Sequence, residues 1–180
     1  MLISAETSRE LAQIVLAAAQ DDASAEGPLS VRDRGDTWLV TGPSLVTSTE
    51  AVVRRTFYIF FRKVDAEVTG IGYCFDFAQD EAVEAAWKQH ASPSAFAAWQ
   101  QRPEVRPSNA TVDLYETLHG GLINRPDDAT AYARALSRSS DIGRTSLSAT
   151  EQEGVWTISS SNKKVLSFSR RAGKIVFSLL

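Results

Sequence analysis

Two short runs, each built around a tryptophan, constrain this chain more than anything else in it. Thr37-Trp38-Leu39-Val40-Thr41-Gly42 lies toward one end and Val155-Trp156-Thr157-Ile158 toward the other. Both are rich in β-branched and aromatic residues, both follow a polar turn containing glycine, and both read as strands. A Leu-Ser pair, Leu29-Ser30 or Leu147-Ser148, stands nine residues ahead of each tryptophan. Sliding the chain by 118 residues lays Thr7 to Gln20 on Arg125 to Arg138, and Leu29 to Val40 on Leu147 to Ile158. Leu, Ser and Trp are the identities in that second overlap, so a tandem repeat competes with chance similarity. The repeat reading predicts an α+β chain of two helix-plus-antiparallel-sheet units joined by a helical insertion. Its expected segments are 1-77, 78-121 and 122-180, three parts that can share one compact domain.

The pass along the chain supplies the elements. Thr7 and Glu10 fit a capping box, and Leu11, Ile14, Val15 and Ala18 follow at helical spacing, which predicts a helix over 7–21. Gly27-Pro28 marks its exit. Leu29–Arg32 and Thr37–Thr41 around Asp33-Arg34-Gly35-Asp36 predict a hairpin, closed by Gly42-Pro43, with 43–53 a loop or irregular edge strand. Arg55–Val64 holds the unalternating run Thr56-Phe57-Tyr58-Ile59-Phe60-Phe61, expected to be a strand covered on both faces or one covered by a partner. Arg54-Arg55 and Arg62-Lys63 flank it as gatekeeping charges. Glu67–Phe75 is the next strand.

Residues 78–121 change to helical character. Val83, Ala86, Trp87 and His90 form one stripe. Ser92-Pro93 starts a second helix carrying Phe96 and Trp99, which Pro103 ends. Asn109 or Ser108 is expected to cap a third, with Val112, Tyr115 and Leu118, stopped at Gly120-Gly121. The second unit begins at Asn124-Arg125-Pro126-Asp127-Asp128, with Ala129, Tyr132, Ala133 and Leu136 as its stripe. Four strands follow at Leu147–Thr150, Val155–Ser159, Val165–Ser169 and Lys174–Leu180, with turns at Asn162-Lys163 and Ala172-Gly173.

Composition removes several classes of function. With 180 residues, 43% hydrophobic and 23% charged, the chain buries enough surface to fold without a metal or a disulfide. A net charge of -3 does not suit a general nucleic-acid binder. The single cysteine, Cys74, excludes a disulfide framework and multi-cysteine zinc sites, and its apolar setting suits an inert buried thiol. No run of about 18 apolar residues is present to cross a membrane, and Met1–Glu6 lacks the pattern of a secretory signal, so the expected location is cytoplasmic. No nucleophile elbow, phosphate loop or dinucleotide fingerprint occurs. His90 and His119, the two histidines, lack paired ligand spacing and read as structural; no cofactor is expected.

An N-terminal helix followed by a hairpin that ends in Trp38-Leu39-Val40-Thr41-Gly42 resembles small bacterial immunity proteins of the cystatin-like or nuclear-transport-factor-2-like type. The resemblance covers 7–72 and, more loosely, 125–180; where the family has a glycine-rich third strand, this chain has Arg55–Phe61. It implies a cytoplasmic protein that binds a cognate bacterial toxin and occludes its active site. Asp76, Asp80, Glu81 and Glu84 make the densest acidic stretch, with Asp113 and Glu116 expected on the same side of the insertion. The bland reading of these carboxylates is a solvated face; the sharper one is an acidic patch that docks on a basic toxin cleft. Trp87 or Trp99 is a candidate anchor, with a core position the competing role. Two other classes stay open. One is a ligand-binding or isomerase-like enzyme using Tyr58, Tyr73 and Asp76, the other an adaptor that pairs through a sheet edge.

Overall fold

The structure, a computed structural model, describes residues 2–19, 28–47, 49–76, 81–101, 111–113, 121–137 and 145–179. It is an α+β fold with two antiparallel sheets. Helix α1 (Ala5–Ala19) precedes β1 (Ser30–Arg34), β2 (Thr37–Thr47), β3 (Val52–Arg62) and β4 (Val68–Asp76). Between the units lie α2 (Glu81–His90), α3 (Pro93–Gln100) and β5 (Thr111–Asp113). Helix α4 (Pro126–Leu136) then precedes β6 (Leu147–Gln152), β7 (Val155–Ser160), β8 (Lys163–Ser169) and β9 (Ile175–Ser178). Strand orders are β1-β2-β3-β4-β5 and β6-β7-β8-β9, so each unit is one helix followed by a four-strand meander.

The two tryptophans occupy equivalent settings. Trp38 Nε1 donates to the carbonyl of Ile3 at 2.9 Å, and Trp156 Nε1 to that of Ile123 at 2.7 Å. Each indole therefore ties its sheet to the residues just ahead of its helix. Trp38 lies opposite Phe61 and Trp156 opposite Phe168. In the ladders with β4 and β9 the register shifts just before these phenylalanines, and Phe61 pairs with Val68 as Phe168 pairs with Ile175. Loop hydrogen bonds repeat as well. Ala66 N donates to Arg62 O and Gly173 N to Ser169 O, while Ile3 N donates to Lys63 O and Ile123 N to Arg170 O. Ala66 (φ 58°) and Gly173 (φ 65°) hold the same left-handed position. The repeat is real, although little more than its tryptophans survives in sequence.

The offset between copies is not constant. The helices superpose by burial at 121 residues, matching Ser8, Leu11, Ala12 and Val15 to Ala129, Tyr132, Ala133 and Leu136, all buried. The 118 offset holds for the first hairpin of each unit. Phe61 follows Trp38 by 23 residues and Phe168 follows Trp156 by 12, so the β2–β3 hairpin is 11 residues longer than β7–β8. That extra length runs through Gly42-Pro43, which do not close the strand. β1 ends its pairing at Thr41, opposite Ser30, so Pro43 falls where β2 has become an edge and a missing N–H is tolerated. A Cβ on Gly42 would sit 2.7 Å from Leu29 Cδ2 and from Phe57 Cζ, so only glycine fits there without a shift of those side chains.

The two units meet in a reciprocal contact. Val68 N donates to Ala172 O at 2.8 Å and Ile175 N to Asp65 O at 2.9 Å, the same pair of positions exchanged. Such a contact is isologous, the geometry of a two-fold dimer built within one chain. Tyr132, fully buried, lies over this junction and donates from its hydroxyl to Ala66 O at 3.2 Å. Arg62 grips Asp65 with two hydrogen bonds and also pairs with Glu67, which Lys174 approaches from the second unit at 3.7 Å. Asp65 beside it raises the Arg62 guanidinium above its ordinary value. Helices α1 and α4 pack on one another, and one apolar core runs through both units, from Leu11, Val40 and Ile59 to Leu136, Ile158 and Phe168.

Several expectations are corrected. The cap of α1 is Ser4, three residues before Thr7, whose N donates to its Oγ at 3.1 Å, because the helix already begins at Ala5. β3 alternates after all: Phe57, Ile59 and Phe61 are buried, whereas Tyr58 and Phe60 on the other face are half-covered. No third helix contains Val112, since Thr111–Asp113 pairs with β4 as β5. β-branched residues laid against an open strand edge outweighed the local helical pattern. The expectations at Gly27, Pro103, Ser108, Asn109, Tyr115, Leu118, His119 and Gly120 lie outside the described residues. Among the described residues, no helix is long and apolar enough to cross a membrane.

Candidate partner-binding surface

The extra length of the β2–β3 hairpin carries the helical insertion. Ser92 N donates to Thr49 O at 2.8 Å, and α2 packs on β2 and β3. Ser92 also caps α3, its Oγ accepting from Ala95 N with Pro93 at the first helical position, as its sequence predicts. Val52, Ala86 and Trp87 form a second, small core here, joined by Ala51, Ala91, Ala95, Phe96 and Trp99. Trp99 stacks between Trp87 (5.4 Å) and Phe96 (5.8 Å). Trp87 is core, at 2% exposure, and its buried Nε1 has no hydrogen-bond partner among the described residues. Such an orphan costs on the order of 1–3 kcal/mol, which marks this cluster as less settled than the main core.

Helix α3, Pro-Ser-Ala-Phe-Ala-Ala-Trp-Gln, is apolar along most of its length yet buries none of its residues. Phe96 and Trp99 are half-covered, and Ala97 and Ala98 are exposed. A small core under an apolar helix that it does not cover is an arrangement suited to a protein contact. Polar groups flank it on α2. Glu84 pairs with Lys88 at 2.7 Å, both well exposed, and Lys88 Nζ stands 6.0 Å from the Phe96 ring. His90 is exposed and does not continue the stripe of Ala86 and Trp87. The helix ends there, and the apolar contact passes to α3.

The described acidic residues are carried by different elements. Glu81 opens α2 and Glu84 lies one turn on. Asp76 ends β4, in register with Arg54, and Asp113 ends β5, in register with Gly72. Both are strand positions of the first sheet, because Asp113 is not on an insertion helix as expected. Asp80 and Glu116 lie outside the described residues. The enzyme candidates also separate. Tyr73 pairs with Phe57 and packs on the core, while Tyr58 pairs with Gly72 on the opposite face, so the two tyrosines do not line one pocket. Among the described residues no group of three His, Cys, Asp or Glu stands close enough to hold a metal.

The sequence singled out Trp87 and Trp99 but not the exposure of α3, whose signal was a short alanine-rich helix with too few polar residues to be solvated. Comparison of the chain with protein-family models, with curated proteins and with solved structures gives no match.

Proposed function

We propose that this chain is a non-catalytic binding protein that neutralises a cognate protein toxin by covering its active site, and that the α2–α3 face makes the contact. The observation that carries this reading is α3, an apolar helix with no buried residue, held on a hairpin extension that the second unit lacks. A duplicated scaffold supplies rigidity, and the copy-specific elaboration supplies the contact. Half-covered Phe96 and Trp99 match the aromatic anchors that dominate interface energetics, ringed by the charged Glu84 and Lys88. Glu84 would steer this face toward a basic cleft. The test is co-expression with the product of the neighbouring gene, expressed first alone to measure its toxicity. The expected result is a stable one-to-one complex and rescued growth, with Trp99→Ala weakening the complex at least tenfold while the chain stays folded. A neighbour that is harmless when expressed alone, or wild-type chain that fails to rescue growth, sinks the proposal.

A further inference from the structure

Residues 91–101, which contain α3, include no charged side chain and no buried residue. Charged residues make up 23% of the chain, so an uncovered stretch of eleven without one is built for something other than solvation. Within it, Ala95, Phe96, Ala97, Ala98 and Trp99 are consecutive. Successive residues lie about 100° apart around a helix, so this run puts apolar groups on every side. A helix that is apolar all round is normally found buried. Trp99 stacks on Trp87 and on Phe96, and that side of α3 is half-covered. Ala97 and Ala98 fall on the opposite side and are exposed.

We infer that α3 is a plug: it enters a concave, apolar-walled cleft of the partner protein, which closes on Ala97 and Ala98 as well as on Phe96 and Trp99. This rests on the function proposed above and specifies what the chain fills there, the apolar interior of the cleft, with Glu84 and Lys88 left at the rim. Size decides the shape of the partner. A helix of eight residues is about 12 Å long and about 10 Å across. One side of it falls well short of the roughly 800 Å² that each partner gives to a stable interface, so the partner must wrap it. Laying α3 on the α3 of a second copy is a one-sided contact, too small by the same measure. Charge decides against a lipid surface, since helices that lie on membranes carry Lys or Arg along a polar face and 91–101 has neither. Alanine on the outer side lets the cleft wall approach the helix closely, and it brings no polar group that would need a partner there.

The probe is the product of the neighbouring gene, titrated into the full chain by calorimetry. Ala97→Glu and Ala98→Glu each carry a charge into the cleft and should weaken the complex about a hundredfold or more. Their urea midpoints should match the wild type, because both positions are exposed. Thr150→Glu, the same change in charge at an exposed position of β6, should bind as the wild type does. Wild-type affinity in Ala97→Glu and Ala98→Glu, or an equal loss in Thr150→Glu, overturns the plug and leaves the proposed function standing. Binding of the free chain to vesicles of phosphatidylcholine and phosphatidylglycerol, abolished by Ala97→Glu, also overturns it, since α3 would then be a lipid anchor. A wild-type chain that neither binds the product nor rescues growth overturns the proposed function and the plug together.

Discussion

Replacing Gly173 by alanine should be among the most damaging single-methyl changes in the chain, for a reason peculiar to the repeat. Gly173 has φ 65°, and a Cβ there would lie 2.3 Å from Tyr132 Oη and 2.8 Å from Cζ. Its equivalent, Ala66, carries a methyl at φ 58° as the native residue, so the loop backbone accepts alanine. What differs is the helix above. Tyr132 stands where the first unit has Leu11, and at 0% exposure it has nowhere to swing. The left-handed backbone costs alanine about 1–2 kcal/mol. Forcing a methyl into a packed site adds about 1–3 kcal/mol. Together these predict about 2–5 kcal/mol, read as a lowered urea midpoint at unchanged slope. A double-mutant cycle separates the terms. In a Tyr132→Leu background, which restores the first unit's residue, Gly173→Ala should cost only the backbone part, about 1–2 kcal/mol. An equal cost in both backgrounds would refute the argument that the tyrosine, rather than the loop, demands glycine.

Trp156→Phe should destabilise by about 2–4 kcal/mol, since it strands the Ile123 carbonyl in a buried site and leaves a void. Trp38→Phe should cost about 1 kcal/mol, because the half-exposed Trp38 lets water reach Ile3; equal costs in chemical denaturation would contradict this. Ser4→Ala should cost about 0.5–2 kcal/mol of thermal stability through loss of the α1 cap, and a neutral result would move the cap elsewhere. Asp33 accepts hydrogen bonds from Lys63 Nζ and Gly35 N, which hold its carboxyl below the ordinary 3.8. A depressed folded value means that the contribution is present above the unfolded pKa and lost as pH falls through the folded one. Asp33→Asn should therefore flatten the acid limb of the stability profile below about pH 4 while leaving the neutral-to-basic limb unchanged. An unchanged acid limb would remove that assignment.

By itself the sequence determined the elements whose signal is local. The stripe Ala129, Tyr132, Ala133 and Leu136, the Ser92-Pro93 start of α3 and the two tryptophan strands are all set by periodicity and turn chemistry, and the structure places them as read. The repeat was legible from three identities because the indole has a job no other side chain can do: it reaches a backbone carbonyl ahead of the helix while filling the core. The rest depended on what lies across space. Val112 became a strand because β4 offered an open edge, and β2 continued through Pro43 because β1 had already ended. His90 turned outward because the helix stopped. Of the acidic residues, Asp113 fell on a strand for the same reason as Val112, not on an insertion helix. Which surfaces stayed uncovered among the described residues, α3 above all, was decided only when two unequal copies closed on one core, since exposure is what remains after every other element has taken its partner.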